Sequence, residues 1–155
     1  MNVLKIMVPL DGSAAAEASL PVAITRAKET AGARVVLVRA VDPNALPRVR
    51  GGDARTRAMG EAAEYLQKIA WRLRRDGLER VGRAVWLAPF STALAEAVRT
   101  VKPDLIVMSA WCGHGQESLV TAVSKVMLDA STSRPEVIVT SGHPESEHDL
   151  ARSPA

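Results

Sequence analysis

Two short stretches of the chain place chemically capable side chains directly after an apolar run. The first is Asp11-Gly12-Ser13, which follows the run that begins at Lys5. A carboxylate at the end of a buried strand can accept hydrogen bonds from a ribose hydroxyl or an adenine amino group. The same three residue types also form turns and helix caps when no ligand is bound. The sequence leaves both interpretations of Asp11 open.

The second stretch covers residues 109–118 and follows the apolar run that ends at Met108. It contains Gly113-x-Gly115-x-x-Ser118 in a predicted connection between a strand and a helix, which is the general form of a phosphate-binding turn. The third glycine of such a turn is missing. The pattern therefore indicates a phosphate site only weakly.

Cys112 and His114 lie in the same stretch and raise the question of a nucleophile with its base, or of half a metal site. A catalytic thiol also needs an oriented histidine and donors for an oxyanion, and a metal needs three or four ligands. The other histidines, His143 and His148, lie in the polar tail. We therefore predict neither a catalytic residue nor a metal site.

Short apolar runs without polar alternation are typical of strands buried on both faces, and here they alternate with stretches of helical period. The sequence predicts five strands that alternate with four helices, and hence right-handed crossovers in a parallel sheet. The strands are expected at 4–9, 34–41, 83–87, 105–108 and 137–140. The helices are expected at 14–30, at 55–75, from 91 to about 101, and at 117–130.

Three residues mark expected helix boundaries or bends. Ser13 is predicted to cap the first helix and Ser91 the third, because a serine hydroxyl accepts from a free amide of the first turn. Pro21 should bend the first helix near its start, since proline deletes the bond to the carbonyl of Glu17. The first helix is otherwise expected to be continuous.

Length and composition indicate one domain of 155 residues with an aliphatic core, since 47% of the residues are hydrophobic and only three tryptophans, one tyrosine and one phenylalanine occur. Residues 1–141 are expected to form the domain and the polar residues 142–155 a mobile tail. One cysteine excludes a disulfide framework, and no secretory or membrane-spanning segment is recognisable. A cytoplasmic protein without membrane partners is expected.

Positive charge is concentrated in residues 48–83, although the net charge is only +3. Ten arginine and lysine side chains fall in this stretch: Arg48, Arg50, Arg55, Arg57, Lys68, Arg72, Arg74, Arg75, Arg80 and Arg83. Such a stretch suits an acidic partner or nucleic acid. It also suits a solvated helix face and a charged loop, which is the interpretation that we favour. Nucleic acid is not an expected partner.

The opening run with its Pro9-Leu10-Asp11-Gly12-Ser13, the late run Asp104-Leu105-Ile106-Val107-Met108, and the closing run from Pro135 to Thr140 together resemble the universal stress protein family. The resemblance covers residues 2–140. It implies an open, Rossmann-like parallel sheet of order 3-2-1-4-5, like that of the adenine nucleotide hydrolases, with helices on both faces. It also implies nucleotide-binding candidates, which are Pro9, Leu10, Asp11, Ser13, Val41, Met108, Ser109, Gly113 and Gly115.

The residues that would contact phosphate, in the stretch after Met108, depart from the pattern of nucleotide-binding members of that family. Their Gly-x2-Gly-x9-Gly-(Ser/Thr) motif would fall here on Ser109, Cys112, Ala122 and Val123. Glycines allow backbone amides to approach phosphate oxygens without a Cβ in the way. Loss of all of them argues against tight binding of ATP with Mg²⁺.

The resemblance implies a stress-response or regulatory protein, which we expect to be non-enzymatic and to act by associating with itself and with other proteins. The alternative is an adenine-nucleotide-binding regulator, or a slow ATP hydrolase, that uses a rearranged 109–118 loop. Family members commonly dimerise through the last strand, and the run from Val137 to Thr140 contains neither proline nor lysine to guard an edge. We therefore expect a homodimer centred on this strand, and Ile138→Pro is expected to disrupt it.

Overall fold

The computed structural model describes residues 3–47, 53–110, 123–124, 126–128 and 135–140. The expected tail at 142–155 and most of the 109–118 stretch lie outside the described residues. The strands are β1 (Lys5–Leu10), β2 (Arg34–Val41), β3 (Val81–Leu87), β4 (Leu105–Ser109) and β5 (Glu136–Thr140). The helices are α1 (Ala14–Glu17), α2 (Leu20–Lys28), α3 (Asp53–Arg75) and α4 (Phe90–Val101), with a 3-10 turn at Pro43–Ala45.

The five strands form one sheet in the order β3-β2-β1-β4-β5, and every neighbouring pair is parallel. This confirms the predicted fold class and strand order. β1 lies at the centre of the sheet, and β3 and β5 form its two edges. All carboxyl ends of the strands therefore meet along one rim of the sheet, and all amino ends along the other.

Each face of the sheet supports its own apolar cluster, because successive side chains of a strand point to opposite faces. Ile6, Val8 and Leu10 of β1 pack with buried residues of α2 and α3. Met7 packs on the opposite face with α4 and with Val126, which belongs to the helical residues 123–124 and 126–128. Helices thus cover both faces, as predicted.

The first predicted helix is interrupted rather than bent. α1 ends at Glu17, and α2 begins at Leu20 with Pro21 in its first turn. Proline has no N–H to donate to a carbonyl four residues earlier and its ring crowds that carbonyl, but it is well tolerated in a first turn, where amides have no partner anyway. The chain therefore starts a new helix, and the expectation of one continuous helix over 14–30 was wrong.

The predicted cap at Ser91 was also wrong. α4 begins at Phe90 with Pro89 in the capping position, and Ser91 lies buried inside its first turn. The helix ends at Val101 and is capped by Lys102, which adopts the left-handed conformation (φ 53°) and donates its N–H to the Val98 carbonyl. Pro103 follows directly, and the chain turns into β4.

Candidate functional site

The crevice at the carboxyl rim of the sheet lies between β1 and β4. The two strands pair only near their beginnings, where Ile6 lies opposite Leu105 and Met7 opposite Ile106. Their other partners continue further, since β1 follows β2 to Leu10 and β4 follows β5 to Ser109. β1 and β4 are also the point where the chain changes direction across the sheet, which is where open α/β sheets bind ligands.

The turn after β1 combines a helix cap with a carboxylate-centred hydrogen-bond network. Gly12 has φ +89°, a conformation that favours glycine. Asp11 Oδ1 accepts a hydrogen bond from the Ser13 N–H at 2.8 Å and another from the Ser13 hydroxyl. Ser13 Oγ in turn accepts from the Ala16 N–H at 3.1 Å and caps α1, as predicted. These residues therefore form a turn and a helix cap, and the hydrogen bonds to Ser13 use one carboxylate oxygen of Asp11.

Arg39 brings a positive charge to this turn. Its guanidinium lies 3.2–3.4 Å from the position that a Cβ on Gly12 would occupy, so residue 12 has little room for a side chain. The same guanidinium lies 4.9 Å from the centre of the Tyr65 ring, a cation–π distance. Arg39 therefore connects the end of β2 to both the first turn and α3.

Tyr65 continues the network to α1 and back to α3. Its hydroxyl donates to Glu17 Oε2 at 2.9 Å, and Arg72 Nη2 donates to Glu17 Oε1 at 3.0 Å. Burial raises the pKa of the Tyr65 phenol far above its ordinary value, and the hydrogen bond and negative charge of Glu17 raise it further. The positive charge of Arg39 acts in the opposite direction. The phenol is thus held neutral as a hydrogen-bond donor.

Four of the predicted site residues are buried at the ends of their strands. Pro9, Leu10 and Met108 are buried, and the side chains of Leu10 and Met108 belong to the apolar clusters on opposite faces of the sheet. Val41 is also buried, and its carbonyl accepts a hydrogen bond from the Ala88 N–H at 2.9 Å. One lone pair of the backbone oxygen that could contact a base is therefore already in use.

Ser109 and Thr140 end β4 and β5 side by side. They are paired in the sheet register, and the Ala110 N–H donates to the Thr140 carbonyl at 2.9 Å. Ser109 is fully buried, and Thr140 Oγ1 is a buried hydroxyl oxygen without a hydrogen-bond partner among the described residues. Gly113, Gly115, Cys112 and His114 lie outside the described residues.

The structure thus brings Asp11, Ser13, Val41 and Ser109 to one rim of the sheet. Sequence reasoning missed Arg39, Tyr65 and Thr140. Arg39 lies two residues before Val41 in the same strand, and the alternation of side chains in β2 could have placed it on the α3 face. No comparable signal links Tyr65 to Glu17, which is 48 residues away in the sequence.

Within the described ranges, no group of three or more histidine, cysteine, aspartate and glutamate side chains gathers as metal ligands would. In those same ranges, no helix has both the length and the apolar character needed to cross a membrane.

The fold and the crevice define a Rossmann-like α/β protein with its candidate site at the carboxyl rim of a parallel sheet. The sequence profile described as "Universal stress protein family" matches residues 2–133, and the chain belongs to this family. A search of curated proteins gave no significant match.

Solved structures show the same fold at low sequence identity. UspA from Lactobacillus plantarum is 22% identical, with a TM-score of 0.65 over 90% of this chain and 98% of its own. The universal stress protein from Archaeoglobus fulgidus in complex with dAMP is 20% identical, with a TM-score of 0.62 over 90% and 98%. A universal stress protein in complex with cAMP is 17% identical, with a TM-score of 0.61 over 92% and 100%.

Proposed function

We propose that this member of the universal stress protein family is a cytoplasmic, non-enzymatic regulator that acts by association, first of all as a homodimer through β5. The observation that carries this proposal is the open edge of β5. The Glu136 N–H donates to the Asp104 carbonyl and the Thr140 carbonyl accepts from Ala110, so the even-numbered residues of β5 direct their backbone groups toward β4. The N–H and C=O of Val137 and Val139 therefore face outward.

Apolar side chains accompany these open backbone groups. Val139 is 46% exposed, and Leu128, in the helical segment whose Val126 packs in one cluster with Val137, is 86% exposed. A second copy of β5, antiparallel across a two-fold axis, would pair with the backbone of Val137 and Val139 and would cover apolar surface on both copies. A second copy is therefore the partner that this edge suits best.

The register of β5 against β4 decides which proline variant can test dimerisation. Ile138 directs its N–H toward β4, so Ile138→Pro would damage the sheet itself and is a poor test of dimerisation. Val139→Pro removes an outward N–H and leaves the ladder with β4 intact. We expect wild-type protein to sediment as a dimer at micromolar concentration and Val139→Pro as a folded monomer.

Arg83→Pro is the matched control, because Arg83 lies on the other edge strand with its backbone facing outward. The Arg80 carbonyl accepts from Val35 and the Ala88 N–H donates to Val41, so even-numbered residues of β3 face β2. Arg83→Pro should remain a dimer. A monomeric wild-type protein, or dimers that persist in Val139→Pro, would overturn the proposal.

A second candidate function is adenine-nucleotide binding in the crevice between β1 and β4. It is favoured by the Thr140 hydroxyl beside Ser109, which has no partner in the described part of the chain, and by the relatives whose structures hold dAMP and cAMP. The missing glycines still argue against a triphosphate. If the dissociation constant for ATP is millimolar or weaker, millimolar ATP with Mg²⁺ stabilises the protein by about 0.5 kcal/mol or less.

Thermal unfolding with ATP and Mg²⁺, and separately with AMP, tests this candidate. We expect shifts of about 1–2 °C or less with ATP. Asp11→Asn is the informative variant, since an amide oxygen can still accept from Ser13 while the charge is lost. A shift of several degrees with ATP that disappears in Asp11→Asn would establish ATP binding and contradict our expectation.

A further inference from the structure

A cleft of about 290 Å³ lies at the amino rim of the sheet, the rim opposite the crevice. Its lining brings together the beginnings of β2 and β3 and the end of α3. Three arginines and one glutamate are among the residues that line it, which are Arg34, Arg74, Glu79, Arg80, Val81 and Gly82.

The backbone of β3 binds one of these arginines and leaves room for another. Arg74 Nη2 donates to the Val81 carbonyl at 3.1 Å. Arg34 Nη2 lies 3.3 Å from the position that a Cβ on Gly82 would occupy, so the absence of a side chain at residue 82 makes room for this guanidinium. The chain thus provides both an anchor and a space for positive charge at this rim.

Among the described residues, these three guanidinium groups form no ion pair. In the described part of the chain, no carboxylate oxygen lies within 4.0 Å of the guanidinium nitrogens of Arg34, Arg74 or Arg80, although Arg72 on the same helix pairs with Glu17 at 3.0 Å. Guanidinium groups bind phosphate oxygens with two parallel N–H donors. Arg74 uses one donor nitrogen on the Val81 carbonyl, and no carboxylate of the described residues competes with phosphate for any of the three groups.

An exposed aromatic side chain adjoins the cleft. Trp71 precedes Arg74 by three residues, so the two side chains are neighbours on the surface of α3. Trp71 lies on the solvent face of the helix and is 61% exposed, with the Arg75 guanidinium 5.1 Å from its ring centre. An exposed indole beside guanidinium groups is the combination on which unpaired bases stack.

We propose that this surface, defined by Arg34, Trp71, Arg74, Arg75 and Arg80, binds single-stranded nucleic acid. Backbone phosphates bind to the arginines of the cleft, and one base stacks on Trp71. A duplex does not offer this contact, because its bases are already stacked, and an acidic peptide has no base for the indole. The proposal concerns the rim opposite the crevice and does not depend on the function proposed above.

Fluorescence anisotropy of a labelled oligothymidylate, titrated with the full chain at several salt concentrations, tests the proposal. Three phosphate contacts predict that log K falls with log salt with a slope of about −2, since each contact contributes about −0.7 on a single strand. Arg80→Gln should bring the slope closer to zero by about 0.7. Trp71→Ala should weaken binding about tenfold and leave the slope unchanged, because stacking releases no counterions.

Matched variants separate this site from general attraction to basic protein. Trp71→Phe should retain most of the affinity lost in Trp71→Ala. Arg55→Gln, which removes the same charge about 30 Å away along α3, should leave both affinity and slope unchanged. All four substitutions are at exposed positions, so unchanged melting temperatures will show that the fold is intact.

Three results would overturn the proposal. The first is no binding at low salt. The second is equal affinity for a duplex of the same length, or for inorganic polyphosphate, with no response to Trp71→Ala. The third is a loss in Arg55→Gln as large as that in Arg80→Gln, which would show that net charge alone attracts the oligonucleotide.

Discussion

The two halves of the sheet differ in strand length and in the polar contacts at their edges. β1, β2 and β3 are six to eight residues long, and polar side chains near them contact one another. The Arg39 guanidinium lies over the Tyr65 ring, and Glu17 accepts hydrogen bonds from Tyr65 and Arg72. Arg74 donates to an outward carbonyl of the β3 edge. β4 and β5 have five residues each, and the β5 edge carries the exposed Val139. The β3 edge has one outward carbonyl, that of Val81, bonded within the chain, whereas the β5 edge suits a partner strand.

The largest effect in this comparison is expected at β5, from a proline on the inner side of the strand. Ile138→Pro removes an N–H that faces β4 and leaves a carbonyl in the ladder without its donor, so the free energy of unfolding should fall by about 2–3 kcal/mol. Val139→Pro should lower the stability of the monomer by less than half as much. Urea titration at a concentration where both variants are monomeric measures the difference.

An equal fall in the free energy of unfolding for Ile138→Pro and Val139→Pro would contradict the assignment of which β5 residues face β4 and which face outward. A loss for Val139→Pro that grows with protein concentration would instead reflect the missing dimer, because association adds to the stability of the wild type by mass action.

The contacts among Arg39, Tyr65 and Glu17 can be tested through the ionisation of Tyr65, the only tyrosine in the chain. Its pKa is raised in the folded protein, chiefly by burial and then by Glu17. The unfolded chain loses the phenol proton at a pH of about 10, so this contribution to stability is complete below about pH 10 and falls as the pH rises further. Ultraviolet absorbance should therefore show tyrosinate only when the protein unfolds.

Glu17→Gln and Tyr65→Phe sharpen this test. Glu17→Gln should allow tyrosinate to form at lower pH, because it removes the negative charge beside the phenol. Tyr65→Phe should cost about 1 kcal/mol at neutral pH, through the lost hydrogen bond, and should remove the alkaline signal. Tyrosinate absorbance at about pH 10 in a protein whose circular dichroism is unchanged would refute the buried network.

A smaller effect is expected at the β3 edge. Arg74→Met keeps most of the side-chain volume but leaves the Val81 carbonyl without its donor. We expect a loss of about 0.5–1 kcal/mol, or about 1–4 °C in melting temperature, because this hydrogen bond is only partly shielded from water. The variant should also associate more readily at high concentration, since its edge is less protected. An unchanged melting temperature and unchanged sedimentation would mean that Arg74 does not protect this edge.

The smallest effect is expected from the ion pair between Arg26 and Glu136 in the second half. The pair is long, at 3.8 Å, and both side chains are substantially exposed. Arg26→Gln should change the free energy of unfolding by less than about 0.5 kcal/mol. A loss as large as that of Tyr65→Phe would show that the second half also depends on polar contacts within the chain.

The strands were predictable because they are short apolar runs between turn residues, a pattern that depends on few distant contacts. The order of the strands came from the family resemblance, since periodicity carries no information about which strands are neighbours. The helix boundaries near Pro21 and Ser91 were not predicted correctly. At both places a proline allowed an earlier or renewed helix start, and propensity rules for serine caps did not weigh this competing option.

At the candidate site, the sequence correctly marked the turn at Asp11 and Ser13 but not the residues that surround it. Arg39 and Tyr65 meet only because β2 and α3 pack side by side, and Thr140 reaches Ser109 only through the β4–β5 register. Sequence analysis did not single out Trp71, although its spacing of three residues from Arg74 on a predicted helix makes the two side chains neighbours. The cleft itself was not predictable, because it forms only where the beginnings of β2 and β3 lie next to the end of α3.

The central position of β1 also shapes the order in which the chain can fold. One neighbour, β2, follows β1 after the connection that contains α1 and α2. The other neighbour, β4, is distant in the sequence: the Lys5 N–H donates to the Asp104 carboxylate, 99 residues away. Closing so long a loop costs entropy before any contact is gained, and topologies with distant pairings fold slowly. β1, β2 and β3 can associate early, while one side of β1 stays open. The pairing of β4 with β1 is therefore the step expected to limit the folding rate.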